Sequence, residues 1–352
     1  MIAKPTNKRR IVIGVIGLIA VVLCVVSAAL VYLVLDFFRP IPETPTALAS
    51  TIPITPQNME HLEPLYRFNV TNTVESILWS SDSHLLAVKT EQWPRIPLGE
   101  PIAAQSLSLW DITSGNGRVV AHASTSPVWR DKGISNFSFS SDGRFLNYKI
   151  DSSIRQWIIS PNSELPPSNV VATPEPVLTI PWSKIPQGAK RYALSPNNKV
   201  LAVVYSDSNS EYAKLVFFDA ISGNELKSIA GSRYLFFSHD SKMIATLDMT
   251  KMVDRRAPVI LWDVESGQVL QRLDGNVYLD DGIIAFSPDG KWVAGRNPGI
   301  GGITYMWNVS SGRRVMLNRG WITPTTLQFS PDGRLIAIGT SDGTVQLWGV
   351  RP

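Results

Sequence analysis

Thr325 to Trp348 reads TTLQFSPDGRLIAIGTSDGTVQLW, and its patterning decides the fold. Leu327 and Phe329 alternate with polar neighbours, Ser330-Pro331-Asp332-Gly333 forms a turn signal, and Leu335 to Ile338 is an apolar run. Ser341-Asp342-Gly343 is a second turn signal before the alternation that ends at Trp348. Period-two patterning broken by Ser, Pro, Asp and Gly predicts three short antiparallel strands joined by tight turns. Ser and Asp bond their own backbone at the start of such turns, Pro presets φ, and Gly accepts the positive φ where the chain reverses.

The first turn recurs along the chain, at Ser80 to Ser83, Ser140 to Gly143, Ser195 to Asn198, Ser238 to Ser241, Ser287 to Gly290 and Ser330 to Gly333. Downstream of each copy a strand ends in an aromatic residue: Trp110, Trp157, Phe218, Trp262, Trp307 and Trp348, 41 to 61 residues apart. That spacing is the period of a propeller blade. In four copies a further turn closes the unit, Asp111 to Gly115, Asp219 to Gly223, Asp263 to Gly267 and Asn308 to Gly312, and a fourth strand follows, such as Gln268 to Leu273.

With LSLWD at 107–111, VILWD at 259–263 and the near matches TYMWN and VQLWG, the chain resembles the WD-repeat family of β-propellers over roughly residues 62 to 350. The resemblance implies an all-β propeller of four-stranded blades, and the copies count six of them. Seven is the alternative, because the long connection 160 to 190 has room for further structure. The polar signature of the family is eroded: no Gly-His dipeptide occurs, and Val88, Tyr148, Val203, Gly295 and Ile338 stand where a Ser or Thr is expected, with Thr246 the one match. The blades are therefore expected to be held by apolar burial more than by the family's hydrogen-bonded tetrad. Asp342 beside Trp348 is read as a plain turn residue.

No sequence remains after Val350 for a fourth strand in the last blade. Residues 62 to 70, with EPLYRF at the centre, are read as that strand, closing the ring from the N-terminal side. Such closure covers sheet edges that otherwise invite aggregation.

The 352 residues carry a formal charge of +4, all of it from Lys4, Lys8, Arg9 and Arg10, leaving 29 Lys/Arg against 29 Asp/Glu. Without a basic block in the folded part, nucleic acid is not an expected partner. Ile11 to Leu35 is uncharged and apolar, longer than the ~20 residues a helix needs to cross a bilayer. It is read as a retained transmembrane helix, since the apolar region of a cleaved secretory signal is usually only ~7–15 residues. The basic tail, residues 1–10, places the N-terminus in the cytoplasm and everything beyond the span outside it. Cys24, the only cysteine, lies within the span, so the exported part has no disulfide. Residues 36–60, with Pro40, Pro42, Pro45, Pro53 and Pro56, read as an extended spacer before a propeller at 61–352.

Catalytic patterns are wanting. His61, His84, His122 and His239 have no metal-ligand spacing, no nucleophile elbow or Walker loop occurs, and no catalytic residue, metal or cofactor is assigned. Gly299 to Gly302 joins two strands and opens no helix.

Length variation among the loops is more informative. In WD-like blades the second-to-third strand loops and the blade-to-blade loops share one face, and here those connections are the long ones, at 90–105, 123–134, 182–189, 206–212, 249–258 and 296–302. Loops on a rigid scaffold carry binding residues, and aromatic and Arg residues favour interfaces. Trp93, Arg95, Trp129, Arg130, Tyr212, Arg255, Arg256, Tyr278, Asp280, Asp281, Arg296 and Trp321 fall in or beside these loops and are the candidate partner-binding residues. The functional expectation is a single-pass, membrane-anchored, non-catalytic scaffold that binds a protein or peptide outside the cytoplasm. The alternative is an enzyme or small-ligand receptor using the central pore, as in some propellers with hydrolase, lactonase or quinone-dehydrogenase sites.

Overall fold

The computed structural model describes residues 45–92, 103–125, 133–140, 143–150, 153–159, 189–206, 213–231, 234–248, 251, 253, 256–278, 284–297, 303–318 and 323–352. The predicted tail and span lie outside these, and among the described residues no helix is long and apolar enough to cross a membrane.

Among the described residues twenty-three strands form six antiparallel sheets. The first blade is β1's successor group: β1 (Glu63–Asn69) is set aside for the last sheet, and β2 (Thr73–Trp79), β3 (Leu85–Gln92), β4 (Ala103–Asp111) and β5 (Asn116–Thr125) pair in order. β6 (Ile134–Phe139), β7 (Phe145–Ile150) and β8 (Ser153–Ile158) make the second blade. β9 (Ala189–Leu194), β10 (Val200–Ser206), β11 (Ala213–Asp219) and β12 (Glu225–Gly231) make the third, and β13 (Leu235–Phe237), β14 (Met243–Leu247), β15 (Arg256–Asp263) and β16 (Val269–Tyr278) the fourth. The fifth holds β17 (Ile284–Phe286), β18 (Trp292–Asn297), β19 (Ile303–Asn308) and β20 (Arg314–Asn318). The sixth contains β21 (Pro324–Phe329), β22 (Leu335–Thr340), β23 (Thr344–Gly349) and, outermost, β1.

The expected closure is thus present. β1 pairs antiparallel with β23, from Glu63 opposite Gly349 to Asn69 opposite Thr344, with one irregularity between Pro64 and Tyr66. Four strands per blade were expected throughout; the second blade shows three among the described residues, and the connection where a fourth strand or a seventh blade was anticipated lies outside them.

Cores form between blades. Phe68, Leu65 and Leu347 of the last blade pack on Val74, Ile77 and Leu86 of the first, and Phe68 stacks on Trp110 with ring centroids 4.1 Å apart. Leu107 and Val120 of the first blade meet Leu146 and Tyr148 of the second. Phe217 of the third meets Ile244 of the fourth, Leu261 of the fourth meets Trp307 of the fifth, and Trp292 of the fifth meets Phe329 and Ile336 of the sixth. Each such fully buried side chain contributes roughly 1.5–3 kcal/mol. Trp262 Nε1 donates to Thr246 Oγ1 at 2.8 Å, so the one Thr that fits the family pattern retains the Trp–Thr half of the tetrad. Trp110 and Trp348 instead donate within their own strands, to Ser108 Oγ and Gln346 Oε1. Asp342 accepts from Thr340 Oγ1 and Thr344 N, which is the geometry of a plain turn.

The Pro-rich segment corrects the expected spacer. Its described part, from Pro45, is docked on the propeller, with Leu48, Thr51, Ile54 and Met59 buried. Ile52 N donates to Val350 O and Ile54 N to Gly333 O, while Arg334 donates to Thr51 O. Met59 and Ile54 join the core around Trp292 and Trp348, and Glu60 pairs with Arg313. Where an extended course was expected, the segment forms 3-10 helices at Pro45–Ser50 and Met59–His61 and a bridge from Ile52 to Val350, and its apolar side chains Leu48, Ile54 and Met59 find hydrophobic cover that composition alone does not reveal.

Candidate interaction face

Antiparallel connectivity gives the propeller two unlike faces. One, the turn face, carries the first-to-second and third-to-fourth strand connections, none longer than five residues in the sheets whose four strands are described, from Ser80–His84 to Ser330–Arg334. Its geometry repeats. Ser Oγ lies 2.5–2.8 Å from the turn carboxylate or amide in the pairs Ser80–Asp82, Ser195–Asn197, Ser238–Asp240, Ser287–Asp289 and Ser330–Asp332. Burial works to raise Asp289, but the Ser287 hydroxyl, the Lys291 backbone N–H and the Lys291 ammonium outweigh it and hold the carboxyl below its ordinary value. Asp263 is held low chiefly by the backbone N–H of Ser266.

The fourth position of the turn is left-handed whether or not it is glycine. Gly143, Gly290 and Gly333 have φ of 69°, 69° and 70°, while Ser83, Ser241 and Asn198 adopt 63°, 63° and 59°. The two serines have a use for the strain: Ser83 Oγ accepts Asp332 N of the sixth blade at 3.1 Å, and Ser241 Oγ accepts Asn197 N of the third at 3.0 Å. Both serines are buried, and each ties the turns of adjacent blades.

The opposite, loop-rich face carries the second-to-third strand and blade-to-blade connections, including 93–102, 126–133, 207–212 and 248–255 between their flanking strands; the long connection 159–188 leaves β8 at the turn-face end, where Ile159 N bonds Arg144 O. Of the candidate residues, Trp93, Arg95, Trp129, Arg130, Tyr212, Arg255, Asp280, Asp281 and Trp321 lie outside the described residues. Arg256 and Tyr278 are brought into register, opposite one another at the loop-face end of the fourth blade. Arg296 stands on the corresponding end of β18, in register with Thr304.

Sequence reasoning missed the polar groups beneath this face. Asp248 is 5% exposed and accepts from Arg272 at 2.6 Å. Gln105 is held between blades, its Nε2 donating to Glu91 and its Oε1 accepting Ile134 N at 2.8 Å. Thr90 and Ser106 share a hydrogen bond of 2.7 Å. Isolated polar residues at strand ends give no periodic signal by which to find them.

A central cavity of about 550 Å³ is lined by the inner strands of four blades, with Leu78, Phe236, Ala285 and Gln328 on its wall. Its ionisable groups are Glu75, which pairs with Lys89 at 2.8 Å, and His239 near the turn face. Loss of solvation lowers the affinity of His239 for a proton, opposed by the Asp240 charge. Among the described residues no group of three His, Cys, Asp or Glu side chains is placed to hold a metal ion, and the cavity wall offers no nucleophile–base pair of the kind an acyl-transfer site needs.

Comparison with known proteins agrees with this architecture. Residues 318–349 match the family described as "WD domain, G-beta repeat". Over 110 residues, 28% of this chain, the sequence is 29% identical to "Protein LST8 homolog" of Drosophila melanogaster, and the match spans 33% of that relative's length. Among solved structures, a chain in "Crystal Structure of Mitotic Checkpoint Complex" aligns with TM-score 0.50 and 13% identity over 82% of this chain and 92% of its own. The Myceliophteria thermophila Cps50 (Swd1) β-propeller domain aligns with TM-score 0.51 and 14% identity, covering 82% and 99% respectively. At such identities the structural likeness establishes the fold alone. The chain has a β-propeller fold, and its last blade is similar to the WD repeat over residues 318–349.

Proposed function

We propose that this protein is a membrane-anchored scaffold that binds a protein or peptide partner outside the cytoplasm through the loop-rich face of its propeller. One observation carries the binding part of the reading: apart from the connection that follows β8, the long connections issue from the same face, while the described turns of the other are short and repeated. A rigid ring with variable loops on one side is the arrangement in which binding residues accumulate. WD-repeat propellers generally serve as non-catalytic interaction platforms, and the cavity's groups, Glu75 paired with Lys89 and His239 beside Asp240, supply nothing that favours the pore-enzyme alternative. Anchoring rests on the apolar run 11–35, and outward orientation on the charges at Lys4, Lys8, Arg9 and Arg10.

The test uses the full chain in detergent as bait for an envelope extract. Specific retention of a protein by the wild type, lost in the double variant Arg255→Glu, Trp129→Ala with an unchanged melting curve, is the expected result. Equal retention by both would move the binding surface elsewhere. Protease added to intact cells should degrade the propeller and spare an N-terminal tag; full protection would reverse the orientation.

A further inference from the structure

Five blades repeat one cross-strand pair between their second and third strands, and the second blade breaks the pattern. Seven residues after the turn serine, Ala87 faces Leu109, Ala202 faces Phe217, Ala245 faces Leu261, Ala294 faces Met306 and Ala337 faces Leu347. All ten residues are buried. Each pair belongs to the apolar cluster that joins its blade to the following one: first to second, third to fourth, fourth to fifth, fifth to sixth and sixth to first. At the same place the second blade has Asn147 opposite Gln156, a half-buried pair in which Gln156 Nε2 donates to Asn147 Oδ1 at 2.9 Å. Leu146, Tyr148 and Trp157 pack on the first blade, so the alternation of a strand turns Asn147 and Gln156 toward the third.

We propose that the joint between the second and third blades is the seam at which the ring opens. Two carboxamides gain little by leaving water: each has two donor hydrogens and an acceptor oxygen, their mutual bond uses one site on each, and half-burial leaves the rest to solvent. A joint sealed by Ala against Leu, Phe or Met loses its apolar contacts to water when it opens. Ile158, opposite Phe145 on the same side as the polar pair, is 49% exposed, so apolar surface at this joint already meets solvent. The third blade's side carries Leu201, Val203, Val216 and Phe218, a buried cluster that no described residue of the second blade joins. Where the chain closes on itself, by contrast, the ring is secured twice over: β1 pairs with β23, and Thr73 Oγ1 of the first blade donates to Ser341 O of the sixth at 2.8 Å. Stability in a ring of repeats is a sum of blade and neighbour-joint contributions, and a local opening selects the weakest of them. The seam therefore lies away from the closing strand, between two blades that the chain joins in sequence.

Native-state hydrogen exchange of the full-length protein in detergent, read by mass spectrometry, tests this. The second strands are compared because each has a paired strand on both sides. Amides of β7 and β10, which border the seam, are expected to exchange at least about tenfold faster than those of β14, β18 and β22. In the double variant Asn147→Ala, Gln156→Leu, which copies the Ala87–Leu109 pair of the first blade, β7 and β10 should slow toward the other second strands. Equal exchange of all five in the wild type, or fastest exchange in strands bordering another joint, overturns the proposal. A folded variant whose β7 and β10 exchange as fast as in the wild type overturns the polar pair as the cause of the seam. If the variant does not fold, the wild-type comparison decides alone.

Discussion

At the scale of single residues, the turns show how a repeat tolerates substitution. Ser83 and Ser241 occupy a left-handed conformation where three sister turns have glycine, a strain of roughly 1–2 kcal/mol for a residue with a Cβ. Each returns an inter-blade hydrogen bond. Ser83→Ala keeps the strain and orphans Asp332 N, so it should destabilise by about 1–2 kcal/mol. Ser83→Gly loses the same bond but relieves the strain, so its melting temperature should lie above that of the alanine variant. Thermal melts of the three proteins establish the order.

The turn carboxylates also set a pH dependence. Asp82, Asp111, Asp263 and Asp289 have folded pKa values below the ordinary aspartate value. A depressed folded pKa contributes stability that is present above the unfolded value, about 3.9, and is lost as pH falls through the folded value. The melting temperature should therefore lose this contribution only below about pH 4–5. Asp289→Asn keeps a turn acceptor, as Asn197 does naturally in its own turn, and should flatten part of that acid limb. An identical pH profile for wild type and variant would show that Asp289 does not contribute to it.

At the scale of elements, the strands and first turns were legible because period-two burial and Ser-Pro-Asp-Gly punctuation act locally. The closing strand was legible for a different reason: the last repeat lacks a partner, and Glu63–Asn69 has the alternation to supply it. The docked course of residues 45–61 was not legible. Proline forbids regular pairing, and nothing in Ile54 or Met59 alone says that Trp292, Trp348 and Phe329 will surround them. The inter-blade roles of Ser83 and Gln105 were hidden likewise, since each depends on a partner far away in sequence. For the loop-rich face, sequence reasoning identified the long loops, and the structure adds the register of Arg256 with Tyr278.

Two element-scale outcomes follow. Deleting residues 61–70 removes β1, exposes the edge of β23 and uncovers Val74 and Leu347, so the melting temperature should fall sharply; an unchanged melt contradicts closure by this strand. Met59→Ala removes a side chain only 2% exposed and should cost about 2–5 kcal/mol, read by denaturant titration. A cost near zero would mean that the segment is not docked in solution.

At the scale of the whole molecule, a repeated, locally encoded ring carries an unrepeated set of loops. Apolar contacts between blades make the ring, the N-terminal segment completes it, and the short-turn face is partly covered by that same segment. Binding is assigned, as a proposal, to the loop-rich face, whose connections vary in length from blade to blade. The most direct measurement of that assignment is the affinity of the retained partner for three full-length proteins: wild type, Arg255→Glu with Trp129→Ala on the loop-rich face, and Ile221→Asp with Lys242→Glu on the turn face. The account predicts that only the loop-face variant loses binding, with all three melting alike. Loss confined to the turn-face variant would contradict it.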